Sequence, residues 1–232
     1  FQKKETAVDL VSYPSEWPEP IYDISQVTKG GFELGRMLFY DGNLSRDGST
    51  SCSSCHSQYN GFTHVDHKVS HGIEDRKGTR NSPVLINLAW NNSFHWDGGV
   101  NHLEVQPLNP ISHPAEMDNS LENVLSYLNN SEEYRIQFYN VFGDSTANSK
   151  RMLKALAQFN ASLISANSKY DKYIMGQVDF TEQEQKGLKL FNMHCNSCHT
   201  APLFNSNRYA NNGLSIDTTF NDLGRFKITE MA

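Results

Sequence analysis

The sequence has no apolar run able to cross a bilayer. Its most apolar stretch, Pro83 to Trp90, falls far short of the roughly 18 consecutive apolar residues a spanning helix needs. A mean hydropathy of -0.58 agrees, and the expectation is a soluble protein. Basic residues are in deficit, 20 Lys and Arg against 26 Asp and Glu, for a formal net charge of -6, and they form no cluster. That excludes the electrostatic footprint of a nucleic-acid binder. No apolar segment follows Phe1-Gln2-Lys3-Lys4, so any export signal is expected to have been removed or never present. Hydrophobic residues are scarce as well. They make up 38% with tyrosine, or about 40% when the 15 Gly replace the 10 Tyr, below the roughly 45–50% of an average globular chain. The core is expected to be thin. No segment alternates convincingly enough to read as a strand, and cysteine is missing from all but two short places.

What is present reads as helix and loop. A length of 232 residues corresponds to about one and a half typical domains. Residues 1–20, with Pro14, Pro18 and Pro20, predict an extended arm. Val27 to Phe39 predicts an amphipathic helix weakened by Gly30, Gly31 and Gly35. Cys52 to Trp96 predicts a long loop wrapped around something. Asn119 or Ser120 is expected to cap Leu121 to Leu128, Ser131 to cap Glu132 to Phe142, and Thr146 to start the longest helix, with Met152, Leu153, Leu156, Phe159 and Leu163 on its apolar stripe. Thr181-Glu182-Gln183-Glu184 forms a capping box for a helix that runs almost into Cys195. A weak repeat, Gly35-Arg36-Met37-Leu38-Phe39 and Gly187-Leu188-Lys189-Leu190-Phe191, suggests two related modules.

The 4 cysteines form two motifs, Cys52-Ser53-Ser54-Cys55-His56 and Cys195-Asn196-Ser197-Cys198-His199. On a helical turn, residues i and i+3 project to one side, so two thiols can reach the vinyl groups along one porphyrin edge and form thioethers. The histidine that follows then lies under the ring as the proximal ligand. Disulfides, a four-cysteine zinc site or a thioredoxin-like pair would not require a histidine after each second cysteine. Two covalently bound c-type haems are the expectation, and they would also supply apolar filler for a thin core. A pure electron carrier fills the sixth iron position with His or Met, whereas a peroxidase vacates it and sets an acid–base group above the iron. Between the first motif and residue 120 the sequence offers His64, His67, His71, His95, His102 and His113, with Glu74, Asp97, Glu104 and Glu116. Counting does not choose among them.

The ordered set of motifs resembles the bacterial dihaem cytochrome c peroxidases and their MauG relatives. It comprises Leu34 to Phe39, Leu44-Ser45, Ser51 to His56, Gly61-Phe62, His71-Gly72, Thr79-Arg80-Asn81-Ser82-Pro83, Phe94 to Gly98, Gln106, Pro110-Ile111, Ala115-Glu116-Met117, the second haem motif and Leu223-Gly224-Arg225-Phe226. The resemblance implies a mainly α fold of two cytochrome c-like helical domains, each wrapping one covalently bound haem, with long irregular loops. The domains are expected at residues 21–166, with the peroxidatic haem, and 167–232, with the electron-transfer haem.

By the same resemblance, hydrogen peroxide is reduced to water with electrons from a small periplasmic carrier, a cytochrome c or a cupredoxin. They enter at the C-terminal haem and pass to the N-terminal one. Cys52, Cys55, Cys195 and Cys198 attach the haems, and His56 and His199 are their proximal ligands. His71 matches the removable distal ligand, with His64 or His67 as fallback. Glu116 matches the distal catalytic glutamate, Gln106 the distal-pocket glutamine, Trp96 the tryptophan between the haems and Asn81 a calcium ligand. His95, His102, His113 and His194 receive no role and are read as structural. A soluble or lipid-tethered periplasmic protein, commonly a homodimer, is implied. The alternatives are a MauG-like oxidase of a protein substrate and a dihaem electron-transfer cytochrome. The family continues past Leu223-Gly224-Arg225-Phe226 with the second haem's distal Met or Tyr, which the 232 residues do not reach. Met231 comes too early to be that ligand.

Overall fold

The computed structural model describes residues 11–211, 213, 214, 219 and 222–230; residues 1–10 of the expected arm and Met231 lie outside them. Nine α-helical segments are described, and no strand beyond isolated bridges such as His71 to Lys77. α1 (Lys29–Tyr40) starts where Thr28 Oγ1 accepts the Gly31 N–H at 3.0 Å. Its glycines carry the packing. A Cβ at Gly35 would stand 2.0 Å from the Ala155 carbonyl oxygen, and one at Gly31 would stand 2.1 Å from Gln158 Oε1. Both neighbours lie on α6 (Ser149–Ser162). Residues that weaken the helix by about 1 kcal/mol each thus let the two helices approach closely. The buried Gln158 returns the contact, its Oε1 accepting from Thr28 N at 2.8 Å and Thr28 Oγ1 at 3.1 Å. Gly35→Ala is expected to cost about 1–3 kcal/mol through overpacking despite alanine's better helix propensity, read as a lower urea midpoint of the haem-loaded protein.

α2 (Cys52–Cys55) is the turn of the first motif. Residues 56–107 then run irregularly, with three short 3-10 turns. α3 (Leu108–Ser112) and α4 (Leu121–Asn130) follow, and Ser120 rather than Asn119 caps α4. α5 (Glu132–Phe142) is capped by Ser131 and ends on Gly143 in the left-handed region. α6 begins at Ser149, not at Thr146. Asp144 Oδ1 accepts the Thr146 N–H at 2.9 Å, and Asn148 Oδ1 accepts the Arg151 N–H at 3.0 Å. The side-chain turn at Asp144 takes the first start signal, and Asn148 supplies the cap.

α7 (Lys169–Ile174), α8 (Glu182–His194) and α9 (Phe226–Thr229) complete the order, with the Thr181–Glu184 capping box in place on α8. Among the described residues the buried hydrophobic core runs from Trp17 to Ala161, with Pro14 buried just before it. Trp17 and Tyr13 each set a ring edge-on to Trp90 at 5.1 Å, so residues 11–20 are anchored on the core. Among the described residues after Ala161, Asp171 alone is buried.

Candidate functional site

The first motif forms one closed turn. His56 N–H donates to the Cys52 carbonyl at 2.9 Å, and Ser54 Oγ accepts the Ser51 N–H at 3.1 Å. Cys52 and Cys55 therefore lie on one side of the turn. Burial pushes the Cys52 thiol up to about 12 and raises that of Cys55. This is opposite to the depressed values of thioredoxin-like pairs. Burial also lowers the His56 imidazole, favouring the neutral, metal-ligating form. His56 Nδ1 lies 3.1 Å from the Phe62 carbonyl. A proton on Nδ1 donated to that oxygen leaves the Nε2 lone pair free to ligate.

Cys52, Cys55 and His56 share one cavity with Gln106 and Glu116, walled by Phe39, Leu85, Pro107, Pro110, Met117 and Leu156. Burial holds the Glu116 carboxyl above the usual carboxylate range, against the pull of His113 and His95. His113 Nδ1 is 3.7 Å from Glu116 Oε1. The sequence reading left His95 and His113 structural. The spacing His113-Pro114-Ala115-Glu116 is the signal that could have found His113: a turn with Pro at its second position brings its ends together, and Glu116 N–H donates to His113 O at 2.9 Å.

His71 does not line this cavity. Its Nδ1 lies 2.6 Å from Asp75 Oδ1, its ring 4.4 Å from that of His67, and its carbonyl accepts from Cys55 Sγ at 3.3 Å. His64 Nε2 in turn lies 2.9 Å from His67 Nδ1. A ring of ion pairs fixes this loop to the Glu116 segment. Arg46 bridges Glu74 and Asp118, and Arg76 bridges the same two acids. Gly72 lies beneath, where a Cβ would be 2.4 Å from the Glu116 carbonyl oxygen.

Asn81 pins the histidine loop. Its Nδ2 donates to the carbonyls of His64 (3.2 Å) and His67 (3.1 Å), while Oδ1 accepts from Thr63 Oγ1 at 3.3 Å. Among the described residues no group of three or more His, Cys, Asp or Glu side chains could hold a metal ion, so the two cysteine pairs do not converge as a zinc site. Trp96 Nε1 donates to the Asn81 carbonyl at 2.7 Å. Trp96 lines a different cleft of about 270 Å³, whose wall includes Asn205, Asn207 and Tyr209, just after the second motif. Gln106 and Leu85 belong to both spaces.

The second motif repeats the first. His199 N–H donates to the Cys195 carbonyl at 2.9 Å, and His199 Nδ1 lies 3.3 Å from the Phe204 carbonyl. Phe62 and Phe204 both adopt the left-handed region, with φ of 59° and 54°. Each packs on the phenylalanine that ends its Gly-x-x-Leu-Phe segment: Phe62 on Phe39 at 6.1 Å, Phe204 on Phe191 at 5.3 Å. The surroundings differ, since Cys195, Cys198 and His199 are exposed. Both sets of residues fit a covalently held haem, with two thiols on one turn, a tautomer-fixed histidine, and apolar surface that the polypeptide does not cover at Leu190 and Met193.

A family model described as di-haem cytochrome c peroxidase matches residues 29–179. The chain is 34% identical over 201 residues to the cytochrome c551 peroxidase of Nitrosomonas europaea, covering 84% of this chain and 60% of that protein. It is 31% identical over 223 residues to the methylamine utilization protein MauG of Methylophilus methylotrophus, covering 91% and 63%. It thus spans about three fifths of the length of these relatives. Among solved structures, a MauG-like protein associated with microbial copper homeostasis superposes with a TM-score of 0.81 at 29% identity, covering 94% of this chain and 70% of that one. The match over well more than half of the residues, together with two haem-binding turns of the same build, identifies the chain as a member of the di-haem cytochrome c peroxidase family.

Proposed function

We propose that this chain carries the two haem sites of a dihaem peroxidase that reduces hydrogen peroxide to water with electrons from a small carrier, a cytochrome c or a cupredoxin. The observation that carries this reading is the shared cavity, in which Glu116 and Gln106 face the same space as Cys52, Cys55 and His56. When bound through Cys52 and Cys55 and through Cys195 and Cys198, the haems supply the oxidation–reduction chemistry. Glu116 takes a proton from one peroxide oxygen and delivers it to the other, so that the leaving group departs as water, and Gln106 orients the peroxide. A carboxyl raised by burial suits this exchange, because an acid–base group works best when both its forms are accessible near the operating pH. His56 and His199, with Nδ1 turned to the Phe62 and Phe204 carbonyls, would hold the haems through Nε2.

His71 would be the removable ligand, with His64 and His67 as its substitutes; its Nδ1 here meets Asp75 Oδ1 and its ring packs on that of His67. Trp96 is the side chain over which electrons cross between residues 21–166 and residues 167–232, the two haem-bearing domains. Asn81 remains the candidate calcium ligand through Oδ1. Among the described residues no acidic cluster supports it, and no step is assigned to calcium. Covalent attachment to thiols fits an oxidising compartment, the periplasm. No described helix is long and apolar enough to cross a membrane.

Stepwise reduction of the haem-loaded protein, with spectroscopy of each haem's spin state with and without calcium, tests this. One haem is expected to show a high-spin population that binds cyanide. Two haems that stay six-coordinate and low-spin at every potential would make the protein an electron-transfer cytochrome. The likeness to a MauG-like structure supports a second reading, oxidation of a protein substrate. Its mark is an oxidised state that outlives peroxide and decays only on adding that substrate.

A further inference from the structure

Reduction of one hydrogen peroxide consumes two electrons and two protons, breaks one O–O bond and leaves two waters. A glutamate that shuttles a proton between the two oxygens supplies neither of the additional protons, so Glu116 must be reloaded from solvent. We infer that His113 is the positioning residue through which Glu116 exchanges those protons, standing between the cavity and solvent on the turn His113-Pro114-Ala115-Glu116. This rests on the role proposed above for Glu116 and deepens it.

The geometry is local and specific. The turn is closed by Glu116 N–H donating to His113 O at 2.9 Å and by Asp118 N–H donating to the same oxygen at 3.1 Å. From the other side Arg76 Nη1 grips the Pro114 carbonyl at 2.8 Å and Asp118 Oδ2 at 2.9 Å. The turn therefore has little freedom to separate its two ends. The His113 side chain is 53% exposed and that of Glu116 40%, with 3.7 Å between Nδ1 and Oε1.

His113 Nδ1 accepts the Ala115 N–H at 3.2 Å, which places the neutral imidazole's proton on Nε2. A second proton added at Nδ1 ends that acceptance and makes Nδ1 a donor with Glu116 Oε1 3.7 Å away. Transfer of the Nδ1 proton to Oε1 returns the starting tautomer, one proton per cycle and two per peroxide, matched by two electrons from the carrier. Besides His113, the charge of His95 acts on Glu116, and Cys52 and Cys55 line the same cavity. His95 Nε2 already meets Asn109 Nδ2 at 3.3 Å, whereas His113 Nδ1 stands 3.7 Å from the Glu116 carboxyl.

The test uses the haem-loaded protein with His113→Ala, His113→Gln and Glu116→Gln. Removing His113 is expected to lower peroxide turnover about 10-fold, less than the roughly 10²–10⁴ carried by an acid–base group itself. KM for peroxide should stay unchanged and the solvent deuterium isotope effect should rise. Added imidazole should restore turnover in His113→Ala. Independently of turnover, the infrared carbonyl band of protonated Glu116, assigned by its loss in Glu116→Gln, should shift in His113→Gln. Unchanged turnover with an unmoved band overturns the inference, and so does a loss that imidazole does not rescue with the band in place. Wild-type turnover in Glu116→Gln would instead overturn the role of Glu116, whatever His113 does.

Discussion

Glu116→Gln is expected to leave the spectra of both haems intact and to lower peroxide turnover by about 10²–10⁴-fold, the contribution typical of a positioned acid–base group. The substitution keeps the size of the side chain and its ability to donate and accept hydrogen bonds, but removes its ability to take up and release a proton. The cavity walls and the turn that carries residue 116 are held by backbone hydrogen bonds and by the Arg46, Glu74, Arg76 and Asp118 ion pairs, none of which involves the Glu116 carboxyl. Turnover and haem attachment therefore separate cleanly. Steady-state peroxide consumption beside optical spectra of the same preparation decides the matter, and turnover at the wild-type rate would remove Glu116 from the chemistry.

Replacing Cys195 and Cys198 together by alanine is expected to abolish hydrogen-exchange protection across α8 while the α1–α6 core keeps its own. Ordering each residue costs about 1–2 kcal/mol of backbone entropy. Residues 17–161 offset that cost with a continuous apolar core. After Ala161 the one buried described residue is Asp171, and Leu190 and Met193 are 57% and 63% exposed. A 13-residue helix is marginal alone, since isolated helices shorter than about 12–15 residues barely persist in water. The covalently held haem supplies the missing apolar surface. A thin core filled out by haem predicts that haem loss melts the whole fold, and the distribution of burial narrows that expectation to the described residues after 166. Full protection of α8 in the alanine variant would show that this helix is held by something other than haem.

Local chemistry made much of the helical framework readable. Ser131 and the Thr181–Glu184 box announce their helices because a side-chain cap acts within three residues of itself. Thr146 misled for the same reason in reverse, since a neighbouring aspartate two residues earlier engages its N–H. The glycines of α1 counted against a helix until their partner was known, because Ala155 and Gln158 lie more than a hundred residues away and close approach leaves no trace in a local pattern. The haem-binding turns were legible from spacing alone. That Gln106 and Glu116 share a cavity with Cys52 and His56, while His71 does not line it, depends on how the irregular chain from residue 56 to residue 107 folds back. No periodicity governs such a chain. The nearness of His113 to the Glu116 carboxyl leaves no local trace either, since a histidine in a polar turn reads as surface until its distance to the carboxyl is measured.

The paired phenylalanine carbonyls have a consequence for how this protein tolerates change. Because a main-chain oxygen orients each histidine, and the residue that supplies that oxygen sits at positive φ, no side-chain truncation at Phe62 or Phe204 deletes the acceptor. A β-branched replacement, which resists that backbone region, would displace it. Selection and engineering alike thus have little purchase on the histidine side of either iron. The two turns differ instead in what surrounds them: the first opens onto a walled cavity, while Cys195, Cys198 and His199 are exposed.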